Sequence, residues 1–215
     1  MENLKSEARK IATQFIGQEL KKGKLEWFDR SLNLDQERKL YFVHNPKCMG
    51  TSLKDWLGLR TDHADHRFPT LVVSKKTWEK YTTIVAVRHP IDRFLSSYHF
   101  HCKSGYTGTY TQRHPDLKSW DMDRYFEVMR LTEPHCLAQQ WKYAVHLKSE
   151  YRPSYLIRME DPGMELARLA EQLQIPLSIP LRNKGTARKE LPPPDVLHKL
   201  VEYYDRDFQL FGYDL

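Results

Sequence analysis

Residues 41–53, YFVHNPKCMGTSL, run from a short apolar stretch through a tight loop into a helix start, and this order constrains the fold more than any other segment. The aromatic and β-branched residues from Leu40 to His44 read as a buried strand. Pro46 and Gly50 break it, and Thr51 and Ser52 open a helix over residues 51–58. A helix N-terminus leaves backbone N–H groups unpaired and carries positive partial charge. Gly50 lets the backbone come close to a ligand. Lys47 adds a full charge, and Thr51 and Ser52 add hydroxyl donors. The ligand this combination suits is a phosphate or a sulfate.

The rest of the chain repeats the alternation of strand and helix. Thr82 to Val87 (TTIVAV) is a second apolar strand, and Ser154 to Met159 (SYLIRM) a third. Helical spacing predicts helices over 3–21, 90–102, around 120–130, over 135–145, 163–173 and 194–206, with Pro90 in the first turn of its helix. Trp78 and Tyr81 fall on a short helix or turn. Residues 60–70 read as a loop. Residues 103–118, rich in Gly, Thr and Tyr, read as a mobile surface loop able to cover a site. Apolar strands separated by helices predict an α/β fold: one domain, three layers, with a mostly parallel central sheet. Residues 1–39 form a helical extension and 40–215 the core. Ligands in such sheets bind beyond the C-terminal ends of the strands, where the loops after His44 and Val87 both lie.

The second of those loops offers another anion grip. Residues 84–98 read IVAVRHPIDRFLSSY, with Arg88 at a strand end and Ser96 about two turns into the following helix. A guanidinium and a hydroxyl so placed can hold a second phosphate, the Arg by a bidentate contact. Taken alone, this segment reads better as a salt bridge of Arg88 with Asp92 and a surface Ser96.

Together the two segments resemble the cofactor signatures of sulfotransferases that use 3′-phosphoadenosine 5′-phosphosulfate (PAPS). The first is Pro46, Lys47, Gly50, Thr51 and Ser52; the second is Arg88, Pro90, Arg93, Ser96 and Tyr98, with His89 where the family more often has Asn or Asp and little consequence expected. LIRMED at 156–161, the basic loop Arg182-Asn183-Lys184-Gly185 and YDRDFQLFGY at 204–213 resemble later family segments. The likeness spans residues 40–213 and is greatest to the carbohydrate branch, with its Golgi glycan sulfotransferases and bacterial relatives. It implies a P-loop-related fold. It also implies that Lys47, Cys48, Met49, Gly50, Thr51 and Ser52 hold the 5′-phosphosulfate, that Arg88 and Ser96 hold the 3′-phosphate, and that Arg182, Lys184 and Gly185 add to the cofactor site. The expected reaction moves a sulfuryl group from PAPS to a hydroxyl and releases PAP, with no metal required.

Such a transfer needs stabilisation of the departing phosphate oxygen, which Lys47 and the helix start can give. It also needs a general base near neutral pH. His66 matches the resemblance best and His63 is the fallback. His44 reads as structural, His135 as either acceptor-side or core, and Glu160 as an orienting partner or an alternative base. His99, His101 and Cys102 lack a closing partner at zinc-site spacing. Cys48, beside Lys47 at a helix start, would have a lowered thiol pKa and so a rival reading as a reactive cysteine. Relatives imply a backbone role instead.

Two other functions compete. A kinase on the same fold would need a Walker A loop, yet Lys47 precedes Gly50 and the first Gly is absent. A noncatalytic polyanion-binding module fits the net charge of +6, but no recognised nucleic-acid motif or stacking platform accompanies it. The charge hints at an acidic saccharide acceptor. Three scattered cysteines suit a reducing compartment. No stretch has the apolar length of a membrane span, and the charged, amphipathic N-terminus does not read as a signal peptide. The expected location is cytoplasmic, or the Golgi lumen if the sequence is a fragment.

Overall fold

The computed structural model describes residues 29, 31–62, 64–180 and 191–214. The expected helix over 3–21, His63 and the basic loop with Arg182, Lys184 and Gly185 lie outside the described residues.

The centre is a four-stranded sheet in the order β1-β2-β3-β4: Leu34–Asp35, Leu40–Val43, Thr82–Val87 and Tyr155–Arg158. Strands β2, β3 and β4 run parallel, with Val43 opposite Val85 and Val87 opposite Arg158. The two-residue β1 pairs antiparallel with β2 and caps that edge. Alternation along each strand divides the core into two layers. Tyr41, Val43, Val85 and Val87 point into one layer, Leu40, Phe42, Ile84, Ala86 and Ile157 into the other.

Helices cover both faces. On the second face lie α1 (Gly50–Trp56) and α8 (Gly163–Leu173), through Leu53, Leu166 and Leu169. The first face takes most of the others. The short α2 (Pro69–Val72) and α3 (Lys75–Lys80) contribute Val72 and Trp78. From α4 (Pro90–Tyr98) come Ile91, Phe94 and Tyr98; from α6 (Met122–Thr132), Tyr125 and Met129. Leu200, Tyr204 and Phe208 come from α9 (Pro194–Phe211). The three-layer, mostly parallel architecture expected of the sequence is present.

Four segments depart from expectation. Leu34–Asp35, inside the expected helical extension 1–39, is the edge strand β1, and no described residue of 31–39 is helical. The surface loop 103–118 contains a short helix, α5 (Thr109–Arg113), and a 3-10 turn at Leu117–Ser119. The helix expected over 135–145 is one turn, α7 (Pro134–Leu137), followed by extended residues and a 3-10 turn at Gln140–Lys142. Its apolar residues, Leu137, Trp141 and Tyr143, are buried all the same, so burial produced a helix-like pattern without a helix. The last helix runs to Phe211, where Gly212 (φ 61°) takes the left-handed conformation that ends it.

Candidate active site

The loop between β2 and α1 turns through two non-glycine residues with positive φ, Lys47 (66°) and Met49 (55°). Left-handed residues in a tight loop are strained and turn successive N–H groups toward one side. Half-buried Lys47 and Met49 and exposed Thr51 border this turn, while Ser52 is buried. The Lys47 ammonium lies 4.0 Å from the centre of the Phe100 ring.

Gly50 is needed for a reason the sequence did not reveal. A Cβ at this position would stand 1.9 Å from Nε2 of His44. The missing side chain makes room for a buried imidazole as well as keeping the helix start open. Burial holds the His44 pKa down at about 3, so the ring is neutral, and its Nδ1 has no hydrogen-bond partner.

Cys48 corrects the reactive-thiol reading. Its side chain is fully buried, and its Sγ lies 3.4 Å from Oε1 of Gln140 and 3.5 Å from the carbonyl of Pro46. Burial pushes the thiol up to about 12, against the nearby charges of Arg93 and Arg88. Desolvation outweighs those cations because it acts on the whole thiolate charge.

Gln140, which sequence reasoning missed, joins the loop after β2 to the turn after β3. Its Oε1 accepts from Asn45 Nδ2 (3.1 Å), the Cys48 thiol and the Arg88 backbone N–H (3.0 Å). Its Nε2 donates to the Arg88 carbonyl at 2.6 Å. Asp207 of α9 fixes this hub by accepting from the backbone N–H groups of Gln140 (2.7 Å) and Trp141 (2.9 Å). Burial raises the Asp207 pKa to about 6 even though both N–H bonds favour its charge. A glutamine flanked by Leu137, Ala138 and Trp141 was the available signal: a polar residue in an apolar run is buried only with partners.

Arg93 belongs to the scaffold. It is 1% exposed, and its guanidinium donates to the carbonyls of Pro46 (3.0 Å) and Ala138 (2.8 Å), pinning the loop from beneath. Arg88 and Ser96 differ. Both are half-buried, and among the described residues neither the Arg88 guanidinium nor the Ser96 hydroxyl makes a hydrogen bond or ion pair. The alternative Arg88–Asp92 salt bridge does not form.

The C-terminal segment closes this side. Glu160 accepts from the His89 backbone N–H (2.7 Å) and the Tyr213 hydroxyl (2.9 Å), which makes it an orienting group. His89 donates from Nε2 to the Asp214 carbonyl (2.8 Å) and packs edge-on against Phe208 and Tyr213. The residue expected to matter little thus ties the Arg88 turn to the chain end.

On the other side stands His66. Its ring lies 4.3 Å from that of His44, and its Nδ1 is 2.9 Å from the His44 carbonyl. A carbonyl only accepts, so Nδ1 carries the proton and Nε2 keeps its lone pair. Burial lowers the His66 pKa, against the pull of that hydrogen bond. The preceding Asp65 anchors the loop by accepting from Ser31 Oγ (3.0 Å) and Arg67 Nε (2.8 Å). His135 lies near enough to add to the His66 shift and meets the Tyr110 hydroxyl at 2.6 Å. His101 bonds the Tyr125 hydroxyl at 2.7 Å, and Cys102 is buried in the core.

The site therefore combines a strained loop with a lysine, a guanidinium without a hydrogen bond or ion pair among the described residues one hydrogen-bonded hub away, and a neutral imidazole of fixed tautomer. Such a set can bind a ligand with two separated anionic groups, stabilise a leaving oxyanion and accept a proton. No described helix is long and apolar enough to cross a membrane. No curated protein and no solved structure matches the chain. A family model described as "Sulfotransferase family" matches residues 30–214.

Proposed function

The chain belongs to the sulfotransferase family, and from that premise we propose that it moves a sulfuryl group from PAPS to a hydroxyl of a saccharide or other small molecule, releasing PAP. The observation that carries the reading is Arg88: its backbone is bonded on both sides to Gln140, yet its guanidinium has no partner among the described residues. A half-buried cation held in this way is built for an anionic ligand.

PAPS supplies an activated sulfuryl group whose leaving atom is a phosphate oxygen. Lys47 and the N–H groups at the start of α1 stabilise the charge that grows on that oxygen as its bond to sulfur breaks. Arg88 and Ser96 hold the 3′-phosphate. His66 takes the acceptor proton on Nε2 while the acceptor oxygen bonds to sulfur, and the His44 carbonyl steadies the imidazolium through Nδ1–H. His63, Arg182, Lys184 and Gly185 remain part of the proposal from sequence alone, as does a cytoplasmic location.

The test is incubation with PAPS labelled in the sulfuryl group and a panel of hydroxyl acceptors. Label moving to an acceptor with equimolar PAP formed is the expected result. No transfer from PAPS, with magnesium-dependent phosphate transfer from ATP instead, would reject the reading.

A further inference from the structure

A lysine carries its charge at the end of a flexible four-carbon stem, and ordering that stem costs rotamer entropy. In the loop after β2 an aromatic ring restrains it. The Lys47 ammonium lies 4.0 Å from the centre of the Phe100 ring, inside the roughly 6 Å over which a cation is drawn to an aromatic face. Phe100 is 43% exposed and takes no place in the core, so packing does not account for its ring. An aromatic face also holds an ammonium without cancelling its charge. A carboxylate in the same place would have to be displaced before an anion could bind.

The ring is itself held in place. After Tyr98 the chain of α4 widens into a π-turn, His99–Lys103, closed by the Ser104 N–H donating to the His99 carbonyl at 2.9 Å. Such turns are rare and frequent at functional sites. A buried chain of side chains fixes this one from beneath. His101 Nδ1 meets the Tyr125 hydroxyl at 2.7 Å, that hydroxyl meets Ser97 Oγ at 2.9 Å, and Ser97 Oγ meets Cys136 Sγ at 3.3 Å. From outside, Lys118 donates to the carbonyls of His101 (2.9 Å) and Ser104 (2.7 Å), and the Ser104 hydroxyl to that of Phe100. The Tyr106 ring stands 5.1 Å from the Phe100 ring. Burial, and next the Lys47 charge, hold the His101 pKa down at about 3, so its ring is neutral and does not repel the lysine. One helix thus leads from the Arg88 turn to the ring under Lys47.

We propose that Phe100 is a positioning residue for Lys47: its ring holds the ammonium ready for the 5′-phosphate end of the nucleotide before the ligand arrives. This rests on the PAPS reading above. The ring acts through the lysine and not on the ligand. A preplaced ammonium spares the ligand the cost of ordering the stem. The contribution of Phe100 is therefore confined to the contact Lys47 makes with the 5′-phosphate, a group that PAP carries and adenosine 3′-phosphate lacks.

The test is calorimetric titration of PAP and of adenosine 3′-phosphate, without magnesium, into the full chain. The proteins compared are the wild type, Phe100→Leu, Phe100→Tyr, Lys47→Ala and the double variant Lys47→Ala/Phe100→Leu. Phe100→Leu should weaken PAP binding by about fivefold and leave adenosine 3′-phosphate binding and Tm unchanged. Phe100→Tyr keeps the aromatic face and should keep the wild-type affinity. In the Lys47→Ala chain, Phe100→Leu should cost nothing further, because the two residues act as one unit. Equal losses for both nucleotides, no loss in Phe100→Leu, the same loss in Phe100→Tyr, or additive losses in the double variant would overturn the positioning role and leave the PAPS reading standing. Failure of the wild type to bind PAP would defeat the PAPS reading itself, and the positioning role with it.

Discussion

The side-chain amide of Gln140 pairs with the backbone of Arg88 as a neighbouring strand would, accepting from its N–H at 3.0 Å and donating to its carbonyl at 2.6 Å. The same oxygen accepts from Asn45 and Cys48, so one fully buried residue sets the spacing between the Lys47 loop and the Arg88 turn. Gln140→Ala is expected to leave several buried polar groups without partners, at about 1–3 kcal/mol for each such loss. Thermal unfolding would show the lowered stability. PAP affinity should fall more steeply than affinity for inorganic phosphate, because only the former needs both grips in register.

Arg88→Ala removes a charged, bidentate contact without touching the hub, which uses only the backbone of Arg88. The expected loss is about 1.5–3 kcal/mol of PAP binding with Tm unchanged. Arg88→Lys should not restore it, since an ammonium cannot reproduce the planar fork. Calorimetry with PAP and with adenosine 5′-phosphate, which lacks the 3′-phosphate, checks the assignment: the two affinities should converge in the variant.

Buried histidines set the acid limit. His44 and His101 have folded pKa values held at about 3 by burial, against about 6.5 in an unfolded chain. Below pH 6.5 the unfolded state binds protons that the folded state refuses, so stability present above pH 6.5 is lost as pH falls toward 3. The slope is about 1.4 kcal/mol per pH unit for each histidine. Asp207, raised to about 6, acts oppositely: its contribution is full below its unfolded pKa and lost as pH rises through 6. Two histidines outweigh one aspartate, so urea midpoints should fall between pH 6 and 4, and His101→Gln should flatten that fall.

Cys48 is expected to be inert. With its thiol buried and pushed up to about 12, maleimide labelling of the native chain should leave it unmodified, as mass mapping would reveal. Gly50→Ala, by contrast, should cost about 1–3 kcal/mol, because the new Cβ meets His44. His44→Ala in the same chain should recover part of that loss.

The strands were legible because Leu40–Val43 and Thr82–Val87 are unbroken apolar runs flanked by breakers. The edge strand Leu34–Asp35 was not: two residues carry no period. The segment after His135 misled because Leu137, Trp141 and Tyr143 are buried from extended and 3-10 backbone at nearly helical spacing. Lys47 and Arg88 stood out as charged residues at strand ends. Arg93 looked equivalent in sequence, but its burial beneath Pro46 gives it a different task. Gln140 and the His44–Gly50 contact depend on residues far apart in the chain, or on the fit of one ring, and neither leaves a local pattern.

The central claim, that Lys47 and Arg88 grip the two ends of one doubly anionic nucleotide, is tested most directly by calorimetric titration of PAP without magnesium into the wild type, Lys47→Ala and Arg88→Ala. The account predicts one-site binding to the wild type and a loss of at least about tenfold in each variant, corresponding to about 1.4 kcal/mol. Absence of PAP binding by the wild type, or equal affinity in all three proteins, would contradict it.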